Sequence, residues 1–230
     1  MKGTFPTFFN QKPKINQSMK YLGLFIAALL FVSCAQNTST AQKKEKGWTP
    51  IFNGKNFDGW KLTTDSPGTF TIEDGTIKVA GNRAHLFYEG AVGNHDFKNF
   101  AFKADVKTMP GANSGMFIHT AYQADGWPAK GYEIQVNQTH TDWRKTGSVY
   151  GEQDVKEVFV KDGEWYTEEI EVQGKRVIVK VNGKVINDYT EPAEPKSAMK
   201  RLSRGTVALQ GHDPKSVIYY KNVMVKVLPD

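Results

Sequence analysis

Hydrophobic and polar residues alternate along many short segments of the chain after residue 50. Alternation with a period of two is the pattern of a half-buried β-strand. Turn-forming residues separate the segments, and Asn182-Gly183 between two β-branched runs is the strongest of these turn signals. The predicted strands cover residues 70–72, 76–79, 100–107, 115–120, 131–137, 147–150, 165–172, 175–181, 185–189, 205–210 and 217–228.

Helical periodicity is weak throughout the same region. Only residues 191–202 are predicted to contain a helical turn or two, and Pro192 and Pro195 limit its length. The strand 100–107 is predicted to be half exposed, with its charged residues in solvent. Many short strands joined by Gly, Asn and Asp turns predict an all-β sandwich or barrel.

Two of the predicted strands carry polar residues that an ordinary surface strand rarely has. Glu133 and Gln135 share one face of strand 131–137, and His119 lies near the end of strand 115–120. Because side chains on a strand alternate between its two faces, the three polar side chains meet on one patch if the strands are neighbours. A carboxylate, an amide and an imidazole in one patch predict a binding or catalytic site.

The surrounding chain supplies further candidates. The loop 121–130 carries two aromatic residues, Tyr122 and Trp127, that are placed to form the walls of a pocket. The turn sequence around residue 113 and the segment after residue 210 are polar, but both are also typical of ordinary turns. The further candidates for substrate binding are Asn113, Ser114, Gln210 and Tyr150, and the further catalytic candidate is His212. We expect His85, His95 and His140 to be structural or exposed.

The N-terminal region has the features of a secretory signal. Lys20 precedes an apolar run that ends shortly before Cys34, the single cysteine of the chain. A cysteine directly after a small residue is typical of a bacterial lipoprotein signal, so we expect a signal in residues 1–34, lipidation at Cys34 and a polar tether in residues 35–46. The folded domain is then residues 47–230. Met19 is an alternative start of translation.

Charge and cysteine content argue against a nucleic-acid partner and against chemistry that needs a free thiol. Removal of the signal with its four lysines lowers the net charge from +6 to +2. No basic stripe with interleaved aromatic residues is present, so a nucleic-acid partner is not expected. With Cys34 lipidated, no thiol remains for a disulfide, a cysteine metal site or a nucleophile.

Several segments, taken together and in order, resemble the 3-keto-disaccharide hydrolase domain family. They cover nearly all of residues 48–228. Any one of them is a weak signal, but the series is specific. The matching segments are Ile51-Phe52-Asn53-Gly54-Lys55 to Gly59-Trp60, Phe70-Thr71-Ile72-Glu73-Asp74-Gly75, Gly111-Ala112-Asn113-Ser114-Gly115-Met116-Phe117, Gly131-Tyr132-Glu133-Ile134-Gln135, Gly147-Ser148-Val149-Tyr150-Gly151, Val181-Asn182-Gly183, residues 205–210 with His212, and Lys221-Asn222-Val223.

The resemblance implies a concanavalin-like jelly-roll β-sandwich of two antiparallel sheets with a concave ligand-binding face. It also implies a role in breaking glycosides whose sugar has been oxidised to a ketone at C3. The family usually has an arginine where this chain has His119. Glucanases of similar shape use a Glu-x-Asp-x-x-Glu strand, and the corresponding stretch here, residues 133–138, keeps only its first carboxylate.

A single carboxylate does not suit ordinary glycoside hydrolysis, which uses two. It suits removal of the C2 proton next to a C3 ketone, elimination of the C1 substituent and addition of water. We expect Glu133 or His119 to be the base and His212 to assist the developing oxyanion or the leaving oxygen. The amides of Asn113, Gln135 and Gln210, together with Ser114, are expected to hold sugar hydroxyls, and Tyr150 or Trp127 to stack on the ring.

Cofactor, partners and location follow from the same interpretation. No HxH or HExxH spacing is present, so a divalent metal, if one is used, needs ligands from separate strands. We expect a carbohydrate substrate, a lipid anchor in the membrane, a periplasmic or outer-membrane location and a pathway oxidoreductase that makes the 3-keto sugar. The alternatives are a non-catalytic carbohydrate-binding lipoprotein and a hydratase of the eliminated 3-keto-glucal.

Overall fold

The computed structural model describes residues 1, 3 and 45–230. Cys34 and nearly all of the predicted signal and tether lie outside the described residues, so these expectations remain predictions. Within the described part of the chain, no helix is long and apolar enough to cross a membrane.

Thirteen β-strands form the described domain. Their bounds are Thr49–Pro50 (β1), Trp60–Leu62 (β2), Phe70–Glu73 (β3), Thr76–Ala80 (β4), Ala84–Tyr88 (β5), Phe100–Thr108 (β6), Asn113–Thr120 (β7), Tyr132–Asn137 (β8), Tyr166–Gln173 (β9), Arg176–Val181 (β10), Lys184–Thr190 (β11), Thr206–Gly211 (β12) and Val217–Val227 (β13).

The strands form two antiparallel sheets. The larger sheet has the order β11-β10-β9-β6-β13-β4-β3, with β1 also paired to β13, and the smaller has the order β2-β5-β12-β7-β8. The hairpins predicted at Asp74-Gly75 and Asn182-Gly183 join β3 to β4 and β10 to β11. The all-β jelly-roll sandwich predicted from the sequence is therefore confirmed.

The core lies between the two sheets and is formed by the apolar face of each strand. Phe100, Phe102 and Val106 of β6 are fully buried, as are Met116 and Ile118 of β7. Alternation therefore places every second residue of the smaller sheet on the face away from this core, and that outer face carries Glu133 and Gln135.

Three local predictions were wrong. Residues 147–150 form no strand, and only an isolated bridge joins Val149 to Ile134. Residues 191–202 contain no helix. Strand β6 is more buried than its charges indicate, because it lies inside the larger sheet and Lys103 is covered by Glu45 and Trp48.

Strand pairing in the smaller sheet sets the positions of the candidate residues. Phe117 pairs with Glu133, and Gly115 pairs with Gln135, so β7 and β8 are neighbours, which was the condition for a shared patch. On the far side of β7, Ala208 of β12 pairs with Phe117. These registers bring residues from distant parts of the chain onto one outer surface.

Candidate active site

A pocket of about 250 Å³ lies on the outer face of the smaller sheet. Its volume is roughly eight times the share of one water molecule in the liquid. Side chains of β7, β8 and β12 form its floor, and loop residues form its walls. The lining residues are Asn113, Phe117, Trp127, Pro128, Gly131, Tyr132, Glu133, Gln135, Tyr150, Lys200, Gln210 and His212.

Glu133 is the carboxylate of this pocket floor. Its side chain lies over Gly115, where a Cβ atom would be only 2.5 Å from Glu133 Oε1. The amide Nε2 of Gln210 donates a hydrogen bond of 3.0 Å to the same oxygen. Desolvation raises the pKa of Glu133 to about 7, although the Gln210 hydrogen bond and the charge of Lys200 oppose this shift. Glu133 therefore changes its charge near neutral pH.

Amide side chains surround the carboxylate. With its nitrogen toward Glu133, the amide of Gln135 donates a hydrogen bond of 3.0 Å to Oε1. Two amides, those of Gln135 and Gln210, therefore bond to the same carboxylate oxygen, and neither bonds to Oε2. Asn113 lies 3.2 Å from the Gln135 amide. The acceptor Oε1 of Gln210 is buried without a hydrogen-bond partner in the described part of the chain. These groups are suited to sugar hydroxyls, which both donate and accept.

His212 forms another wall, immediately after β12. Its Nδ1 lies 2.8 Å from Asp213 Oδ2. Burial opposes ionisation of Asp213, but hydrogen bonds from Ser216 and His212 outweigh it and lower the pKa of this carboxyl to about 2. Asp213 is thus a carboxylate over the working pH range and accepts a hydrogen bond from the imidazole.

Two aromatic residues, Trp127 and Tyr150, line the pocket, but Tyr122, which was predicted to form a wall with Trp127, does not. Trp127 is 47% exposed, and its ring centroid lies 5.4 Å from that of His212. Tyr150 is 38% exposed and donates its hydroxyl hydrogen to Asp142 at 3.1 Å, while the guanidinium of Arg144 lies over its ring. Exposed, anchored aromatic rings beside a polar floor are suited to stacking on a pyranose ring. The second aromatic residue of the loop, Tyr122, packs on Phe87 outside this pocket.

The structure corrects the expected placement of His119. Its Nε2 lies 2.9 Å from the carbonyl oxygen of Lys98, its Nδ1 accepts from the backbone N–H of Ser203, and its ring packs on Phe100 of the core. The cause is a bulge: β7 has two residues, Ile118 and His119, between the partners of Thr206 and Ala208, where β12 has one, and His119 has a left-handed φ of +52°. Because both nitrogens are occupied by backbone groups away from Glu133, His119 is not available to substrate in the pocket.

Ser114 is likewise not in the pocket. Its hydroxyl donates to the carbonyl oxygen of Gln210 and contacts the hydroxyl of Tyr220 at 2.7 Å, both inside the sandwich. Asn113 and Ser114 are consecutive residues of one strand, so they cannot both face the pocket. The remaining predicted residues, Glu133, His212, Asn113, Gln135, Gln210, Tyr150 and Trp127, all line it.

Two residues in or beside the pocket did not stand out in the sequence. Lys200 lines the pocket from a loop between β11 and β12. His85 of β5 pairs in register with Gln210, lies under Trp127, and has no hydrogen-bond partner for either ring nitrogen among the described residues. Burial lowers its pKa to about 4, so the ring is neutral. Only the pairing of β5 with β12 places it here.

One group of side chains has the composition of a metal site. Ligand atoms of His140, His212 and Asp213 lie within 4.8 Å of one another. His140 Nε2 is 4.0 Å from Asp213 Oδ2, and the two imidazole rings have centroids 5.5 Å apart. Two segments supply the three groups: His140 follows β8, and the consecutive residues His212 and Asp213 follow β12.

The chemistry available in the pocket is that of one carboxylate with a near-neutral pKa, one imidazole and several amides. Glu133 is the single acidic residue among the lining residues. The usual pair of carboxylates for glycoside hydrolysis, facing each other across the scissile bond, is therefore not provided by this lining.

Comparison with known proteins gives consistent matches. The model of the 3-keto-alpha-glucoside-1,2-lyase-like domain matches residues 47–226. A protein of Bacteroides thetaiotaomicron named 3-keto-disaccharide hydrolase is 33% identical over 114 residues, an alignment that covers 42% of this chain and 39% of that protein. The alignment thus spans well under half of that relative.

Solved structures agree on the fold. A crystal structure of a candidate glycosyl hydrolase from Parabacteroides distasonis is 26% identical, with a TM-score of 0.67, and the match covers 80% of this chain and 94% of that one. The Bacillus licheniformis β-glucanase, at 12% identity and a TM-score of 0.52, matches over 79% of this chain and 97% of its own. The carbohydrate-binding module CBM66 of Bacillus subtilis is 14% identical with a TM-score of 0.53, and the match covers 73% of this chain and 95% of that one. The last two similarities concern the fold alone.

Proposed function

Because the chain belongs to the family of 3-keto-alpha-glucoside-1,2-lyase-like domains, we propose that it is an enzyme that cleaves glycosides carrying a ketone at C3 of the sugar. The observation that carries this proposal is the isolated carboxylate of Glu133, which has a pKa of about 7 on the floor of a pocket lined by amides and aromatic rings. A base of this pKa removes a weakly acidic C–H proton well at neutral pH.

The ketone makes such a proton available. A C3 carbonyl acidifies the hydrogen on C2, and the carboxylate of Glu133 accepts that proton. The electron pair moves into an enolate, which then expels the oxygen substituent at C1. Addition of water across the new C1–C2 double bond completes a net hydrolysis. Glu133, protonated in the first half, returns the proton to C2 in the second.

The other lining residues have supporting roles in this proposal. The amides of Asn113, Gln135 and Gln210 bind ring hydroxyls and the C3 carbonyl. Trp127 and Tyr150 pack on the sugar faces from two sides. The charge of Lys200, which already acts on Glu133, stabilises the developing enolate.

Two alternatives remain distinct from this function. A carbohydrate-binding module is favoured by the fold shared with such a module and by the exposed aromatic walls, but binding alone needs no carboxylate with a near-neutral pKa. A hydratase of the eliminated 3-keto-glucal would use the same pocket for only the second half of the reaction. The location and partners belong to the proposal as well: a lipid anchor at Cys34 in the periplasm or outer membrane, and an oxidoreductase that supplies the 3-keto sugar.

The test uses the chain from residue 35 onward, which contains every strand of the domain. It is incubated with a chromogenic 3-keto-glucoside and with the unoxidised glucoside, each with and without chelator. Release from the keto form alone is expected. Release from both forms would indicate a conventional glycosidase, and release from neither, with hydration of the 3-keto-glucal, would indicate the hydratase. Glu133→Gln is expected to lose release.

A further inference from the structure

Three ionisable side chains, His140, His212 and Asp213, cluster where His212 lines the pocket just after β12. We propose that His212 and Asp213 form a dyad in which His212 transfers a proton to the leaving oxygen and Asp213 is the positioning residue that fixes its tautomer. This inference rests on the proposed function and adds to it the group that protonates the departing alcohol, which Glu133 alone does not provide.

The hydrogen bonds around Asp213 define it as an acceptor. Ser216 Oγ donates to Oδ2 at 2.7 Å, and the backbone N–H of Lys215 donates to Oδ1 at 2.8 Å. Ser216 is held in turn by the backbone N–H of Asn113, at the start of β7. The carboxylate is therefore fixed by donors of its own segment, residues 212–216, which is anchored to β7 through Asn113, and the 2.8 Å contact with His212 Nδ1 is a donation from the imidazole.

This arrangement selects one tautomer of His212. With the hydrogen on Nδ1 directed at Asp213, the lone pair of the neutral ring is on Nε2. In the part of the chain that the structure describes, Nε2 makes no hydrogen bond, while the His212 side chain is 31% exposed and lines the pocket. The ring thus presents to substrate a nitrogen that can accept or donate a proton, and the carboxylate behind it fixes the orientation of the ring.

The same kind of evidence decides against a metal at this cluster. The backbone N–H of Asp142 donates to His140 Nδ1 at 3.0 Å, so the hydrogen of the neutral His140 ring is on Nε2. Nε2 is the atom that faces Asp213, at 4.0 Å. A metal there would need a lone pair on Nε2 and a hydrogen on Nδ1, which would oppose the Asp142 N–H. His140 is therefore placed to donate toward Asp213 rather than to bind a cation.

The proposed step balances in protons and charge. The Glu133 carboxylate takes the C2 proton, the C1–O bond breaks, and the Nε2 hydrogen of the His212 imidazolium moves to the departing oxygen. His212 is then neutral and takes a proton from the water that adds at C1, while Glu133 returns its proton to C2. Both residues regain their starting states after one turnover.

The experiment compares Asp213→Asn with wild type on two 3-keto-glucosides, one with a sugar leaving group and one with nitrophenolate, which departs without protonation. Exchange of the C2 hydrogen with deuterated water is followed by NMR in parallel. Asp213→Asn is expected to lower kcat/KM for the sugar leaving group by about 10²- to 10³-fold, to change it less than about threefold for nitrophenolate, and to retain exchange. Asp188→Asn is the matched control, because Asp188 is exposed and paired with Arg176; it should match wild type throughout.

The outcomes separate the dyad from the function on which it rests. If wild type releases neither leaving group and does not exchange the C2 hydrogen with deuterated water, the proposed function is wrong. If wild type is active but Asp213→Asn slows both substrates equally, or neither, Asp213 does not act through protonation of the leaving group and the dyad is refuted. If chelator abolishes activity, zinc or manganese restores it, and Asp213→Asn no longer binds that metal by calorimetry, the cluster is a metal site and the dyad is again refuted.

Discussion

Gly115 gives the most direct test of the position of Glu133. An alanine Cβ at residue 115 would lie 2.5 Å from Oε1, 2.7 Å from Cγ and 2.9 Å from Cδ of Glu133. Ordinary contact begins near 3.4 Å, so the carboxylate would have to move by about 0.9 Å. The φ angle of Gly115 lies outside the left-handed region, so the backbone accepts alanine without strain.

The expected result of Gly115→Ala is a loss of activity with little loss of stability. The clash involves the end of a flexible side chain, so the fold loses at most about 1 kcal/mol, toward the low end for overpacking. That corresponds to a fall in Tm of roughly 2–4 °C for a domain of this size. A displacement of about 1 Å at a reacting group costs on the order of 100-fold in rate, and the hydrogen bond from Gln210 is lost with it.

The assay measures kcat/KM on a 3-keto-glucoside together with Tm. Gly68→Ala is the matched control, because its Cβ would meet nothing within 4 Å and its φ is also outside the left-handed region. That variant should keep the wild-type rate. Wild-type turnover by Gly115→Ala would refute the reasoning, since it would mean that the carboxylate does not act from the place where the structure holds it.

Three further predictions concern single side chains. Because Glu133 is a base only when ionised, kcat/KM should fall about tenfold per pH unit below its pKa of about 7. The same raised pKa makes the folded state less stable as pH rises from about 4.5 to 7. Denaturant titration at pH 8 should therefore give Glu133→Gln a free energy of unfolding roughly 1–3 kcal/mol above that of wild type. His119→Ala should lose about 2–4 kcal/mol of stability through its buried contacts yet retain turnover per folded molecule, and a rate loss like that of Glu133→Gln would return His119 to the mechanism. His85→Phe removes two unpaired buried nitrogens and should raise the free energy of unfolding by about 1 kcal/mol while KM for the sugar rises; an unchanged KM would show that His85 does not bind substrate.

Local patterns predicted much of this architecture because they depend on neighbours in sequence. Alternation along β8 puts Glu133 and Gln135 on one face whatever the rest of the fold does. The Asn182-Gly183 turn joins its two strands because both residues tolerate a left-handed conformation, and both have positive φ in the structure. The same alternation also implied that Asn113 and Ser114 face opposite sides, a consequence that places Ser114 in the core.

The remaining features were decided by contacts between residues far apart in the chain. One extra residue in β7, relative to β12, turned His119 from the pocket toward Phe100, and a bulge of this kind has no local periodicity. His85 lies against Trp127, beside the pocket, only through the register of β5 with β12.

Glu133 combines a property set by its local sequence with properties set by tertiary contacts. Its direction out of the sheet was determined by the sequence itself, through the period of the strand. Its pKa of about 7 and the space above Gly115 were determined only by the tertiary structure, because desolvation depends on which groups exclude water around the carboxylate. Those groups come from β7, β12 and loops, and the strand that carries Glu133 contains no information on their distance.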